Sequence, residues 1–267
     1  MEPMEACEIA RLPEELLCQA LSGTSPRDAC RAAAVSPAFR GAADSDALWA
    51  GFLPCGRDLP PLADGELLPC RKKDLFLRLS GSPFLLPGGL VSMWVDRESG
   101  AVCYMVPARE LSIGWGALAD SRFSETAELI LVCWLYIRGK IDSKMLSRGS
   151  TYSVYMVYKL AIDSYGLADG YYGLELTIQK APVSIGDTHQ TRKVCFHPNR
   201  QRSMRRNRHA ALPRKRANGW MELELGEFVC EGHEDGDVSF GLSEMKDLSR
   251  KNGLIVQGIE IRHKNSI

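Results

Sequence analysis

The sequence predicts an α+β chain in two domains, a small all-helical one followed by an antiparallel β-sandwich of jelly-roll type. Three observations lead there. Residues 9–55 are rich in Ala and Leu and are punctuated by Ser-Pro pairs of the kind that start helices. From residue 90 the pattern changes to short apolar runs separated by turn residues. Between those runs no helical pattern of the length that a parallel crossover needs occurs.

The helical part reads in order. "LPEELLCQAL" (12–21) places Pro13 at a first helical position with Glu14 and Glu15 in the first turn, and Ser22-Gly23 ends it. "SPRDACRAAAV" (25–35) restarts with Ser25 as N-cap, Pro26 at the first position and Asp28 three residues after the cap. "SPAFRGAA" repeats the start at Ser36-Pro37, and "SDALWAGFL" (45–53) gives a last short helix stopped by Pro54. Leu12, Leu16, Leu17, Leu21, Val35, Phe39, Leu48, Trp49 and Phe52 are more apolar groups than so small a bundle can hide. They pack on the rest of the chain or are covered by another protein, and composition leaves both open. Val35 and Phe39 are expected in the bundle's own core.

Residues 56–89 read as a Pro/Gly-punctuated linker around one amphipathic piece, "KKDLFLRLS", expected to be a helix bridging the domains. Residues 90–265 carry the strands. "LVSMWVDRESGAVCYMV" is a hairpin pattern. Further strands are expected in 128–141, 150–161, 172–181, 219–229, 236–245 and 253–263. "SVYMVYKL" and "MELELGEF" alternate as strands with one wet face, whereas "LILVCWLYI" is apolar on both faces and reads as central. Trp94 and Trp134 are expected in the core and Trp220 as a packing residue.

Composition excludes several classes. Lys+Arg and Asp+Glu balance at 33 each, so no global field draws the chain to nucleic acid or membrane. No apolar run reaches bilayer-spanning length. Met1 to Ala10 carries Glu2, Glu5 and Glu8 and no basic residue, the wrong charge for a secretory leader; a cytoplasmic and nuclear setting is expected. The nine cysteines are scattered without a Cys-x-x-Cys pair, and Cys195-Phe-His197 lacks a second half, so neither disulfide framework nor metal is expected. No cofactor motif and no catalytic constellation occurs. The chain is expected to be a non-enzyme.

The two halves together resemble plant F-box proteins that carry a phloem-protein-2-like domain, the lectin fold also found in the jasmonate-inducible agglutinin of tobacco (Nictaba). The F-box text is "LPEELLCQALSGTSPRDACRAAAVSPAFRGAADSDALWAGFLP". The second domain's blocks are "CYMVPARELSIGWG", "SRFSETAELILVCWLYIRGKI", "STYSVYMVYKL", "GWMELELGEF" and "GLIVQGIEIR". The resemblance implies that residues 9–55 bind Skp1, and through it a cullin, with the second domain retaining a protein or glycoprotein target for ubiquitylation. It places Leu12, Pro13, Leu16 and Leu17 in the Skp1 groove, with Trp49 and Phe52 nearby. The alternative it leaves is an intracellular lectin acting without ligase assembly.

The same resemblance implies a sugar site, for an N-glycan or N-acetylglucosamine oligomer, at Trp115, Asp237 and Glu244. Here "GWGALADSRF" lacks the family's second aromatic between Trp115 and Ser121, which removes one stacking wall. A last feature is the basic loop expected over 190–218. Arg192–Arg216 holds ten Lys/Arg and no acid, with "LPRKR" as the best import match, at Arg214, Lys215 and Arg216. Nucleic-acid binding is not expected there, because no aromatics interleave the charges.

Overall fold

A computed structural model of the 267-residue chain describes residues 12–54, 70–87, 90–114, 126–130, 132–165, 178–196, 210–232, 236–246, 248 and 250–264. The chain divides into two compact units, residues 1–89 with 93–102, and residues 90–92 with 103–266.

In the first unit the helices are α1 (Glu14–Ser22), α2 (Pro26–Ala32), α3 (Pro37–Asp44), α4 (Asp46–Phe52) and α5 (Lys72–Gly81), followed by the short strands β1 (Phe84–Leu85) and β2 (Ser92–Val95). The Ser-Pro starts work as their chemistry requires. The Ser25 hydroxyl accepts the Asp28 N–H at 3.1 Å, and the Ser36 hydroxyl accepts the Phe39 N–H at 3.3 Å. Asp28 in turn accepts from Ser25 and Arg31, which holds its carboxyl below the usual range.

The compact unit also takes in residues beyond the helices of 9–55. The amphipathic piece of the presumed linker is α5, whose Leu75, Phe76 and Leu79 are buried. Phe76 stands 5.0 Å from Trp49 centroid to centroid, and Phe52 meets the same indole edge-on at 5.5 Å. Trp49 is 0% exposed and its indole N–H donates to the Ala43 carbonyl at 2.7 Å. One aromatic thus ties α3, α4 and α5 together. Trp49→Ala should lower stability by about 3–5 kcal/mol, read as an earlier loss of helical signal in urea. Val35, expected in the core, is 71% exposed in the turn between α2 and α3. The tight Ser36-Pro37 restart leaves it no helix to pack on.

The second unit contains β3 (Val102–Pro107), β4 (Ser112–Gly114), β5 (Ala127–Glu128), β6 (Leu135–Asp142), β7 (Ser150–Tyr165), β8 (Gln179–Ile185), β9 (Thr188–Val194), β10 (Arg214–Lys215), β11 (Met221–Cys230), β12 (Asp237–Glu244) and β13 (Asn252–His263). One sheet runs β3-β13-β7-β11-β10, with β5 also on β13. The other runs β4-β6-β12-β8-β9. The strand pairings are antiparallel, as expected.

Apolar residues at alternate positions of β7, β11, β8 and β12 fill the space between the sheets. The Tyr152 ring stacks on Phe228 at 5.6 Å, and the Tyr158 ring meets Phe196 edge-on at 4.9 Å. Tyr158 donates its hydroxyl proton to the Phe196 carbonyl at 3.0 Å. Burial pushes both phenols well above their ordinary range, so they stay neutral donors. β11 is bulged between Glu224 and Gly226. A Cβ on Gly226 would lie 2.8 Å from a Val183 methyl, so glycine is what lets the sheets approach there.

Three expectations need correction. The presumed central strand 128–141 is split into β5 and β6, and β6 alternates buried and exposed residues over one wet face. Trp134, just before β6, is 38% exposed, and Trp94 is half-buried; neither is core. The stretch expected as the start of a loop at 190 is the β8–β9 hairpin, turning at Gly186 with φ of 51°.

Candidate functional site

The first candidate surface is built by α1. Its inner face buries Leu17 and Leu21, one turn apart. The next stripe round the helix points outward. Leu16 is 48% exposed, Leu12 ahead of the helix is 42% exposed, and Pro13 and Ala20 are exposed with them. Leu12, Leu16 and Ala20 are spaced four apart, so apolar surface runs along the helix unburied by the unit's described residues. Of the six residues assigned to the Skp1 contact, Leu12, Pro13 and Leu16 thus stand on an open surface. Phe52 is half-buried. Leu17 and Trp49, at 1% and 0% exposure, are buried inside the unit.

The second candidate lies on β12. Trp115 falls outside the described residues. Asp237 and Glu244 are the first and last residues of the strand, seven apart, which sets them about 24 Å from each other. An odd separation also turns them to opposite faces, and Asp237 is exposed while Glu244 is 6% exposed. One sugar ring cannot span that distance, so the two carboxylates do not form one site. Their partners differ too. Asp237 accepts from the Lys140 ammonium at 2.9 Å, which raises the lysine's pKa. Glu244 lies 3.0 Å from the Lys251 ammonium in a pair whose side chains are 5% and 1% exposed. Lys251 also donates to the Cys133 carbonyl at 3.0 Å, and Glu244 accepts the Lys246 N–H at 2.8 Å. The pair therefore binds the β12–β13 connection to the segment before β6. Sequence reasoning missed Lys251, since nothing in "EMKDLSRKNG" distinguishes a buried lysine from its exposed neighbours.

The third candidate, the import match, is also rearranged. Arg214 and Lys215 form β10 and are exposed. Arg216 is not available with them. Its guanidinium lies 3.0 Å from Glu222 and forks onto both carboxylate oxygens of Glu260, at 2.9 and 2.5 Å. Arg262 joins the same two acids and lies 3.8 Å over the Tyr155 ring. Burial alone would lower the Arg216 pKa, but the bond and charge of Glu260 outweigh it and hold the group charged. A bidentate arginine across three strands is a fixture of the sheet. Residues 197–209, the middle of the basic run, lie outside the described residues.

A helical unit with an open apolar stripe and a two-sheet antiparallel domain make a protein of two modules. No cluster of three or more potential metal ligands occurs among the described residues. Residues 9–53 match the F-box-like family and residues 101–263 match phloem protein 2. The putative F-box protein PP2-B12 of Arabidopsis thaliana is 38% identical, over 95% of this chain and 97% of that protein. F-box protein PP2-B10 of the same plant is 35% identical, over 97% and 95%. The chain belongs to the F-box proteins that carry a phloem protein 2 domain.

Proposed function

We propose that the protein is a substrate-recognition subunit of an SCF-type E3 ubiquitin ligase, with Skp1 on the α1 stripe and a target protein on the β domain. The observation that carries this reading is the exposed line of Leu12, Pro13 and Leu16 over the buried Leu17 and Leu21. Large apolar side chains set on a rigid helix are the anchors that a helix-in-groove contact needs. The protein itself performs no bond chemistry. It accelerates ubiquitin transfer by holding its target beside the charged conjugating enzyme, an effective-concentration effect. Sugar recognition through Asp237 and Glu244 is not part of the proposal, because the two are at opposite ends of β12.

Co-expression of the full chain with Skp1 tests the assignment. The wild-type chain is expected to co-purify with Skp1, and Leu12→Ala/Pro13→Ala to lose it while remaining folded by circular dichroism. Retention of Skp1 by the double variant would place the contact elsewhere.

A further inference from the structure

The outward face of the second sheet is basic. Ser243 of β12 registers with Tyr136 of β6 on one side and Lys180 of β8 on the other, and Lys180 registers with Lys193 of β9. These four residues form one row across four strands. Arg138 lies two residues further along β6, on the same face. Arg138, Lys180 and Lys193 are all exposed, and none has an ion-pair partner among the described residues. Among the described residues of these strands, the face's acids are at its far end, where Asp237 registers with Asp142 and is already paired with Lys140 at 2.9 Å.

Two features of this row point to an anionic occupant. Lys180 and Lys193 are direct cross-strand neighbours, and like charges so placed repel each other. An anion set between them removes that cost. The centre of the face is also low, since Ser243, Ser239 and Ser184 present only hydroxyls beside the long cations. Three strand spacings give the row a width of about 14 Å. An extended peptide turns alternate side chains to one side about every 6.8 Å. Two or three acids at alternate positions therefore reach Lys193, Lys180 and Arg138 together.

We propose that this face docks an extended acidic segment of a partner protein. A nucleic acid fits less well. The row's one aromatic, Tyr136, already has the Arg138 guanidinium 5.8 Å from its ring centroid, so within the row a base has no free ring to stack on. With the proposed function, on which the identity of the partner as a ubiquitylation target rests, the segment belongs to the target. The surface itself does not depend on Skp1.

Fluorescence anisotropy on the full chain, without Skp1, keeps the two proposals separable. The probes are a labelled peptide of alternating Glu and Thr, the same peptide with phosphothreonine, its Lys-for-Glu counterpart and a short DNA duplex. Both acidic peptides are expected to bind and to weaken as salt rises, and the tighter of the two identifies the source of the charge. Lys180→Glu/Lys193→Glu should weaken binding at least tenfold. Lys180→Arg/Lys193→Arg and, in the helical unit, Lys72→Glu should leave it unchanged, with unaltered thermal unfolding in each. Equal binding by the charge-reversed variant, absence of binding to both acidic peptides, or tighter binding of the duplex would overturn the proposal.

Discussion

Glu244→Ala is expected to destabilise the β domain by about 3–5 kcal/mol, the range for breaking a buried ion pair by removing one partner. The pair is almost fully withdrawn from water, at 5% and 1% side-chain exposure, so solvent screens it little. The alanine variant leaves the Lys251 ammonium in place, still bonded to the Cys133 carbonyl but without the carboxylate 3.0 Å away. Replacing both residues, Glu244→Leu/Lys251→Met, removes the buried charges together and should recover most of the loss. Urea unfolding followed by intrinsic fluorescence separates the cases. A Glu244→Ala variant as stable as the parent would show that the pair does not hold the β12–β13 connection. Glu244 is thus engaged as structure, which is the physical reason the resemblance to a lectin does not carry over to it as a sugar ligand.

Leu16→Asp should weaken Skp1 binding by at least 30-fold without unfolding the protein. Leu16 is 48% exposed, so a carboxylate there is solvated in the free chain. In a complex it must be desolvated against an apolar groove, and anchors of this kind cost 2 kcal/mol or more when lost. Leu17→Ala provides the contrast. That side chain is 1% exposed, and its truncation should lower stability by about 2–5 kcal/mol through the cavity it leaves. Two adjacent leucines then report on two different things, Leu16 on the partner and Leu17 on the fold.

Much of the architecture was legible because local chemistry carried it. Ser25-Pro26 and Ser36-Pro37 start α2 and α3 by the capping bonds their side chains predict. The alternation in "MELELGEF" appears as β11 with one face buried. What was not legible depends on pairing at a distance. The apolar "LILVCWLYI" reads as continuous strand, yet a break before β6 brings Val132 opposite Lys251 and leaves Trp134 exposed. The β8–β9 hairpin was hidden because Arg192 and Lys193 read as part of a charged loop, although the Gly186-Asp187 turn marks it. The separation of Asp237 from Glu244 was already implicit in the strand expected over 236–245, because seven residues of strand set the two at opposite ends. Arg216 shows the other limit. Nothing in "LPRKR" distinguishes the arginine that crosses to Glu260 from the two residues beside it that remain exposed.

Calorimetric titration of purified Skp1 into the full chain measures the proposed α1 contact directly. Saturable binding in the sub-micromolar range, weakened at least 30-fold by Leu16→Asp and little changed by Lys180→Glu/Lys193→Glu, is the predicted result. Absence of heat with the folded wild-type chain, or equal affinity for wild type and Leu16→Asp, would contradict the assignment of the α1 stripe as the ligase-binding face.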